Sequence, residues 1–404
     1  MTVVSGPLSL YHLLDPKVLA NPYPLYHRLR SEDPVHWDPY LHAWVVTRYT
    51  DVVHVFQRFS ADRTHTPEKL AAMGMEQLAP IAQVMVKQML FLDPPQHDRV
   101  RRLAAIAFTP RRVEHLRSHI QDITDGLIDA VAAHGEMEVM EDLANPLPAI
   151  VTAEMLGVPT TDHVKLKNWS QDFAEMLGNF QHNPDRAVRV LRTLSEMTAY
   201  FRDAVRQQES TPTEGLVNAL ATAEVNGDRL TEDEVVANVI VTMVGGQETT
   251  TNLIGNGLLT LLRHPAEMEW LRDNLSLIPG AVEELLRYES PSQHTARLAP
   301  ADLELGGRLI TRRQAVIAVM GAANRDPERF VDPDRLNLTR EDNRHVAFGW
   351  AGHFCFGAPL ARIEGQIAFS TLLRRFPKLR LAARDVTWRP NLGLRGLTSL
   401  PVTF

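Results

Sequence analysis

The sequence predicts a mainly α-helical protein with a small β portion, and three observations carry that prediction. Apolar residues recur at three- and four-residue spacing through most of the 404 residues, the pattern of helices with one buried stripe. Strand-like stretches are short and sit mainly near the two ends. No Gly/Ser tract, charge block, low-complexity run or internal repeat divides the chain, so it reads as a single large domain over 1–404, big for one compact unit.

Taken in order, Pro34-Val35-His36-Trp37 and Ala43-Trp44-Val45-Val46-Thr47 read as strands flanking a turn that contains Asp38-Pro39. Helices are expected over 113–133, 186–208, 234–262 and 281–287, strands over 303–309 and 315–319, and a last helix over 360–376. The clearest helix starts at Thr231. Thr231 and Glu234 have capping-box spacing, Leu230 and Val235 stand where a hydrophobic staple would, and His264-Pro265 stops the pattern after Leu262. At 1.5 Å per residue that helix runs for about 50 Å, long enough to cross the whole molecule.

Composition narrows the function. Lys and Arg number 42 against 49 Asp and Glu, a net charge of −7 with both signs interspersed, which argues against nucleic acid as a default partner. The first twenty residues lack the basic start and apolar run of a signal peptide. No apolar stretch approaches the roughly 18 residues that span a bilayer. A cytoplasmic protein with no membrane partner is expected, in which the sequons at Asn168 and Asn337 stay silent. The single cysteine, Cys355, excludes an internal disulfide, a Cys-rich zinc site and a cysteine-held iron–sulfur cluster. Inert packing or a task needing one thiolate remains.

Two segments break the helical pattern. Mid-way along the long helix, Gly245-Gly246-Gln247-Glu248-Thr249-Thr250-Thr251 puts two glycines, a carboxylate and three hydroxyls where a buried helix wants Leu or Ala. Each glycine costs about 1 kcal/mol there relative to alanine. Ile240, Val241, Val244 and Leu253 around it are too apolar for an open surface. Paired glycines would thin the helix so that something flat can lie against it, threonine hydroxyls would open it locally, and Glu248 with Thr249 would form an acid–alcohol pair for moving protons. The second segment is Phe348-Gly349-Trp350-Ala351-Gly352-His353-Phe354-Cys355-Phe356-Gly357-Ala358-Pro359. Glycines flank Cys355, aromatic residues wrap it, and a helix follows it, so the helix N-terminus favours a thiolate. Such a buried thiolate suits a metal better than it suits nucleophilic attack.

That second segment resembles the haem-binding signature of the cytochrome P450 family, Phe-Gly-x-Gly-x-His-x-Cys-x-Gly. One position departs from it: Ala351 stands at the second glycine, and a glycine follows at Gly352. The resemblance extends nearly end to end. Residues 245–250 resemble the family's oxygen-activating pattern, and Glu284-Leu285-Leu286-Arg287 matches its Glu-x-x-Arg. Residues 93–103 resemble the helix bearing two propionate contacts, which falls to His97 and Arg101; Arg297 and His353 match two more. Pro327-Glu328-Arg329-Phe330 imitates a tetrapeptide of eukaryotic members, but the count from Asn324 puts the third structural arginine at Arg340.

The resemblance implies a haem-dependent monooxygenase with haem b (iron protoporphyrin IX) between the long helix and the cysteine loop. Cys355 is then the axial ligand, with Phe348, Gly349, Gly357 and Gly245 against the macrocycle. Glu248 and Thr249 deliver protons, and Glu284, Arg287 and Arg340 form a structural cluster. One oxygen atom of O2 would enter a small apolar organic substrate by hydroxylation or epoxidation, in the manner of secondary metabolism. The chain ends at Phe404 without room for a fused reductase, so a separate ferredoxin and NAD(P)H-dependent ferredoxin reductase are expected, drawn by Arg111, Arg112, Arg344 and Arg362. Segments 60–90, 168–185, 237–249, 290–296 and 393–398 are expected to line the pocket, with Met73, Met75, Met85, Met89, Phe173, Met176 and Phe180 among them. The alternative is a peroxide-driven haem-thiolate hydroxylase. Such members usually replace the acid–alcohol pair by arginine and proline, and Glu248 and Thr249 are intact.

Overall fold

The computed structural model describes residues 6–107, 109–179, 183–382 and 385–404, without the side chains of 106, 107, 110–112, 184 and 209. About 59% is helical. Among the described residues, no helix is long and apolar enough to cross a membrane. The chain forms two compact units: residues 1–60, 120–145 and 249–404 make the first, and residues 61–119 and 146–248 the second.

The first unit holds the sheets that place the cysteine segment. Its four-stranded sheet runs Val35–Asp38, Ala43–Val46, Ala315–Ala318, Thr295–Leu298; only the middle pair is parallel. The two N-terminal strands and that at 315–318 fall where alternation places them. Thr295–Leu298 has no such signal, because it is read as strand only through its partner. The stretch 303–309, expected as one strand, is a hairpin of Leu303–Leu305 and Arg308–Ile310. Gly306 and Gly307 at φ +57° and +74° make the turn, which glycine adopts without a Cβ penalty. Helix Tyr49–Arg58 packs on this sheet through Tyr49, Val52, Val55 and Phe56, in a core cluster that also holds Val316, Ala318, Phe330 and Val346. Burying each large side chain contributes about 1.5–3 kcal/mol. Val346 carries the cluster directly into the cysteine segment.

The long helix is Glu232–Arg263, 32 residues. Its capping box forms: Thr231 N–H donates to Glu234 at 2.8 Å and Glu234 N–H to the Thr231 hydroxyl at 3.3 Å. In the second unit, Arg99 grips that cap, donating to Glu234 at 2.7 Å and to Asp228 at 2.9 Å. Asn238, fully buried, braces residues 87–89 against the helix. It accepts from Met89 N–H at 2.9 Å and donates to the Lys87 carbonyl at 3.0 Å. The expected helix 113–133 is broken at Leu116 into Pro110–His115 and Arg117–Ala132.

Candidate active site

In the first unit, the cysteine loop is closed by its own backbone. Cys355 N–H donates to the Phe348 carbonyl at 2.8 Å, Gly349 N–H to Val346 at 2.9 Å and Phe354 N–H to Ala351 at 3.0 Å. Val346 N–H is held by the side chain of buried Asn324 at 2.8 Å. Cys355 is half-buried and lies just ahead of helix Ala358–Arg375, whose N-terminal dipole stabilises a thiolate. Gly349 takes φ +72° and Ala351 φ +54°. The left-handed turn therefore stays at Ala351 and does not pass to Gly352, at a cost of about 1–2 kcal/mol for a residue with a Cβ.

Beside the loop lies a charged group. Arg362, on the same helix, donates from Nε and a terminal nitrogen to the two oxygens of Glu283, both at 2.8 Å. His345 Nε2 is 3.3 Å from Glu283, while Ala347 N–H donates to its Nδ1 at 3.2 Å. Burial alone would raise the Glu283 carboxyl, but the hydrogen bonds and charges of Arg362 and His345 hold it down to about 2. The Arg362 guanidinium lies 4.6 Å from the Phe348 ring centroid.

Glu284, Arg287 and Arg340 are brought together behind this loop. Glu284 and Arg287 are both fully buried and form a two-pronged bond at 2.8 Å and 2.8 Å. Arg340 adds a 3.1 Å bond to the same carboxylate. Arg329 instead pairs with the exposed Asp342 at 2.7 Å and 2.9 Å. Arg287 also donates to the carbonyls of Asn324 and Pro333, both at 2.8 Å. Through Asn324 the cluster thus reaches Val346 and the cysteine loop.

Arg297 is buried in strand Thr295–Leu298, donating to Thr295 and Ala296 at 3.1 Å and 2.9 Å. His353 lies in the turn Ala351–His353, partly exposed. Two expected wall segments meet: Gln293 N–H donates to Gly393 and Arg395 N–H to Pro291, both at 2.8 Å. Asn256 ties the second of them to the long helix through the Arg395 carbonyl at 2.9 Å. Within the first of them His294, which the sequence did not single out, has its pKa lowered by burial to about 4, against a hydrogen bond with the Leu392 backbone that raises it. It is neutral at pH 7.

In the second unit, His97 is buried in the first turn of helix Gln96–Ala107, with Nδ1 2.9 Å from Asp98. Arg101 follows four residues later on the same face. Glu248 and Gln247 are buried, whereas Gly245 is exposed within the helix. The two glycines differ. A Cβ at Gly245 would meet nothing within 4 Å, but one at Gly246 would lie 3.1 Å from the Thr152 hydroxyl. Gly246 therefore serves helix packing. The helix is not opened here: residues 239–256 stay α-helical, and the Thr251 hydroxyl goes to the Ala144 carbonyl at 2.8 Å.

Of the other expected residues, Met73 is surface-exposed and Phe173 fully buried; Phe180 lies outside the described residues, as do the side chains of Arg111 and Arg112. Arg344 is exposed, 4.0 Å from Asp342.

Residues 35–387 match the family described as Cytochrome P450. The chain is 37% identical, over all of both sequences, to the biotin biosynthesis cytochrome P450 of Bacillus subtilis (strain 168). It is 38% identical to the cytochrome P450 monooxygenase PikC of Streptomyces venezuelae, over 100% of this chain and 96% of that protein. This chain belongs to the cytochrome P450 family. Among solved structures, P450BioI in complex with acyl carrier protein bearing hexadec-9Z-enoic acid superposes with a TM-score of 0.90 at 38% identity, covering 96% of this chain and 99% of that one. The mainly helical P450 fold with small sheets is thereby established, and so is the enzyme class, a monooxygenase.

The family implies a haem-thiolate cofactor, and the residues of this P450 fit one. Its lone thiol is half-buried at a helix N-terminus, and a Cβ at Gly357 or Gly245 would enter open space. A flat macrocycle needs such ground.

Proposed function

We propose that this P450 is a single-domain, cytoplasmic haem b monooxygenase that inserts one oxygen atom of O2 into an apolar organic substrate, with electrons from a separate ferredoxin and its NAD(P)H-dependent reductase. The observation that carries it is Cys355, its N–H bonded to Phe348 in a loop running into a helix N-terminus. When bound, haem supplies reductive activation of O2 and transfer of one oxygen atom.

The chain's own residues supply the rest. Cys355 would hold the haem iron through its thiolate and supply it with electron density. His97, Arg101, Arg297 and His353 would hold the two propionates by charge-assisted hydrogen bonds, and Phe348, Gly349, Gly357 and Gly245 would give the macrocycle flat ground. Glu248, buried at 3% exposure, carries protons to the Thr249 hydroxyl, which is half-buried one residue on. Glu284, Arg287 and Arg340 hold the loop in register through Asn324.

A sizeable apolar substrate is supported by the named relatives, which include a polyketide biosynthesis P450 and a vitamin D(3) 25-hydroxylase, and by the acyl chain in the P450BioI complex. Spectral titration with polyketide, terpenoid and fatty-acyl compounds, free and carrier-bound, is expected to give a low- to high-spin Soret shift with one of these classes. The ligand assignment is tested by Cys355→His and Cys355→Ala, which abolish the red-shifted ferrous–CO band. A variant that kept the band would sink it.

A further inference from the structure

The cation on the cysteine helix that the sequence offers to a redox partner is already engaged. Arg362 is held in a two-pronged bond by Glu283, and the buried His345 reaches the same Oε2 of Glu283 that one Arg362 nitrogen contacts. The guanidinium lies over the ring of Phe348, the residue whose carbonyl accepts the Cys355 N–H. The geometry points to a role for this Glu283–Arg362 pair: it is a positioning device that sets the charge felt by the Cys355 thiolate, and through it the ferric/ferrous equilibrium. This inference rests on the reading of Cys355 as the haem ligand.

The electrostatics give a sign to each partner. The Arg362 guanidinium is stabilised first by its hydrogen bonds to Glu283, and Cys355 is also among the charges that favour its charged form. The guanidinium lies 4.6 Å from the centroid of the Phe348 ring, and the Phe348 carbonyl accepts the Cys355 N–H, so the cation and its bound carboxylate stand beside the cysteine loop. Ferrous haem-thiolate carries one more negative charge than ferric, so a nearby cation favours reduction and a nearby anion opposes it. Removing the guanidinium leaves the Glu283 carboxylate beside the loop without that cation and disfavours the ferrous state. Neutralising the carboxylate leaves Arg362 unopposed and favours it. A partly buried pair acts at lower effective dielectric than water, so neither change is screened out by solvent. A merely structural pair would have no reason to give opposite signs.

The test is spectroelectrochemical titration of the haem-loaded protein, substrate-free, for wild type, Arg362→Gln, Arg362→Lys, Glu283→Gln and the double variant Glu283→Gln/Arg362→Gln. Arg362→Gln is expected to shift the ferric/ferrous equilibrium about three- to tenfold toward ferric, and Glu283→Gln by a similar factor toward ferrous; tenfold is 59 mV for a one-electron couple. Arg362→Lys keeps the charge and stays near wild type, and the double variant returns toward it. Shifts of the same sign in both single variants, or unshifted potentials with the ferrous–CO thiolate band retained, overturn the inference while leaving the ligand assignment standing. Absence of that band in wild type overturns the ligand assignment itself.

Discussion

Removing Arg287 tests how the buried cluster holds the cysteine segment. Arg287→Ala takes away two 2.8 Å bonds to Glu284 and two 2.8 Å bonds to the carbonyls of Asn324 and Pro333. Glu284 keeps Arg340 at 3.1 Å, the Asn337 N–H at 2.8 Å and Asn343 at 3.3 Å, but it loses its only fully buried counter-charge among the described residues. Breaking a buried pair from one side costs about 3–5 kcal/mol, a large share of the about 5–15 kcal/mol by which folded proteins are stable. With m of about 3 kcal/mol/M, the urea midpoint falls by about 1–1.7 M. Arg340→Ala removes one bond to Glu284 and bonds to carbonyls such as that of Val331, for about 1–2 kcal/mol. Arg329→Ala removes the pair with exposed Asp342 and the contacts with Tyr49 and Phe330, and leaves the midpoint nearly unmoved. The assay is urea unfolding of the haem-loaded protein, read by far-ultraviolet circular dichroism and the Soret band together. Arg329→Ala proving as damaging as Arg340→Ala would refute the reasoning.

Three further outcomes are expected. Thr249→Ala retains haem and the ferrous–CO band but lowers product formed per NADH several-fold, with peroxide appearing; unchanged coupling argues against proton delivery by Thr249. Glu283 lies near 2 in the folded chain against an ordinary 4.5, so its stabilisation is complete above pH 4.5 and is lost as pH falls toward 2. That gap is worth about 3 kcal/mol, and Glu283→Gln should flatten the acid limb of the stability profile between those values. Ala351→Gly relieves a left-handed residue at φ +54°. A gain of about 1–2 kcal/mol, less about 0.5–1 kcal/mol for added freedom of the unfolded chain, should raise the thermal midpoint. A lower midpoint contradicts the strain.

Much of the site was legible because its chemistry is local. The capping box at Thr231, the glycines and acid–alcohol pair of the long helix, and the helix behind Cys355 each depend on residues within a few positions of one another. Counting along the chain also reached Arg340, since Asn324 to Arg340 is one compact run of turns. Strand Thr295–Leu298 and the hairpin at 303–310 were less legible, because a short strand is defined by a partner that periodicity does not name.

The sequence by itself determined the helical class and the single cysteine through spacing and residue type, and it pointed to the reaction family through its resemblance to the P450 signature. Only the tertiary structure decided where the remaining charges and the paired glycines go. It gave Arg329 to Asp342, closed Arg362 onto Glu283, and divided Gly245 and Gly246 between open space and the Thr152 hydroxyl. Those pairings join residues up to 94 positions apart, as at Gly246 and Thr152. Coulombic and packing energies depend on distance in space, and a linear sequence carries no distances.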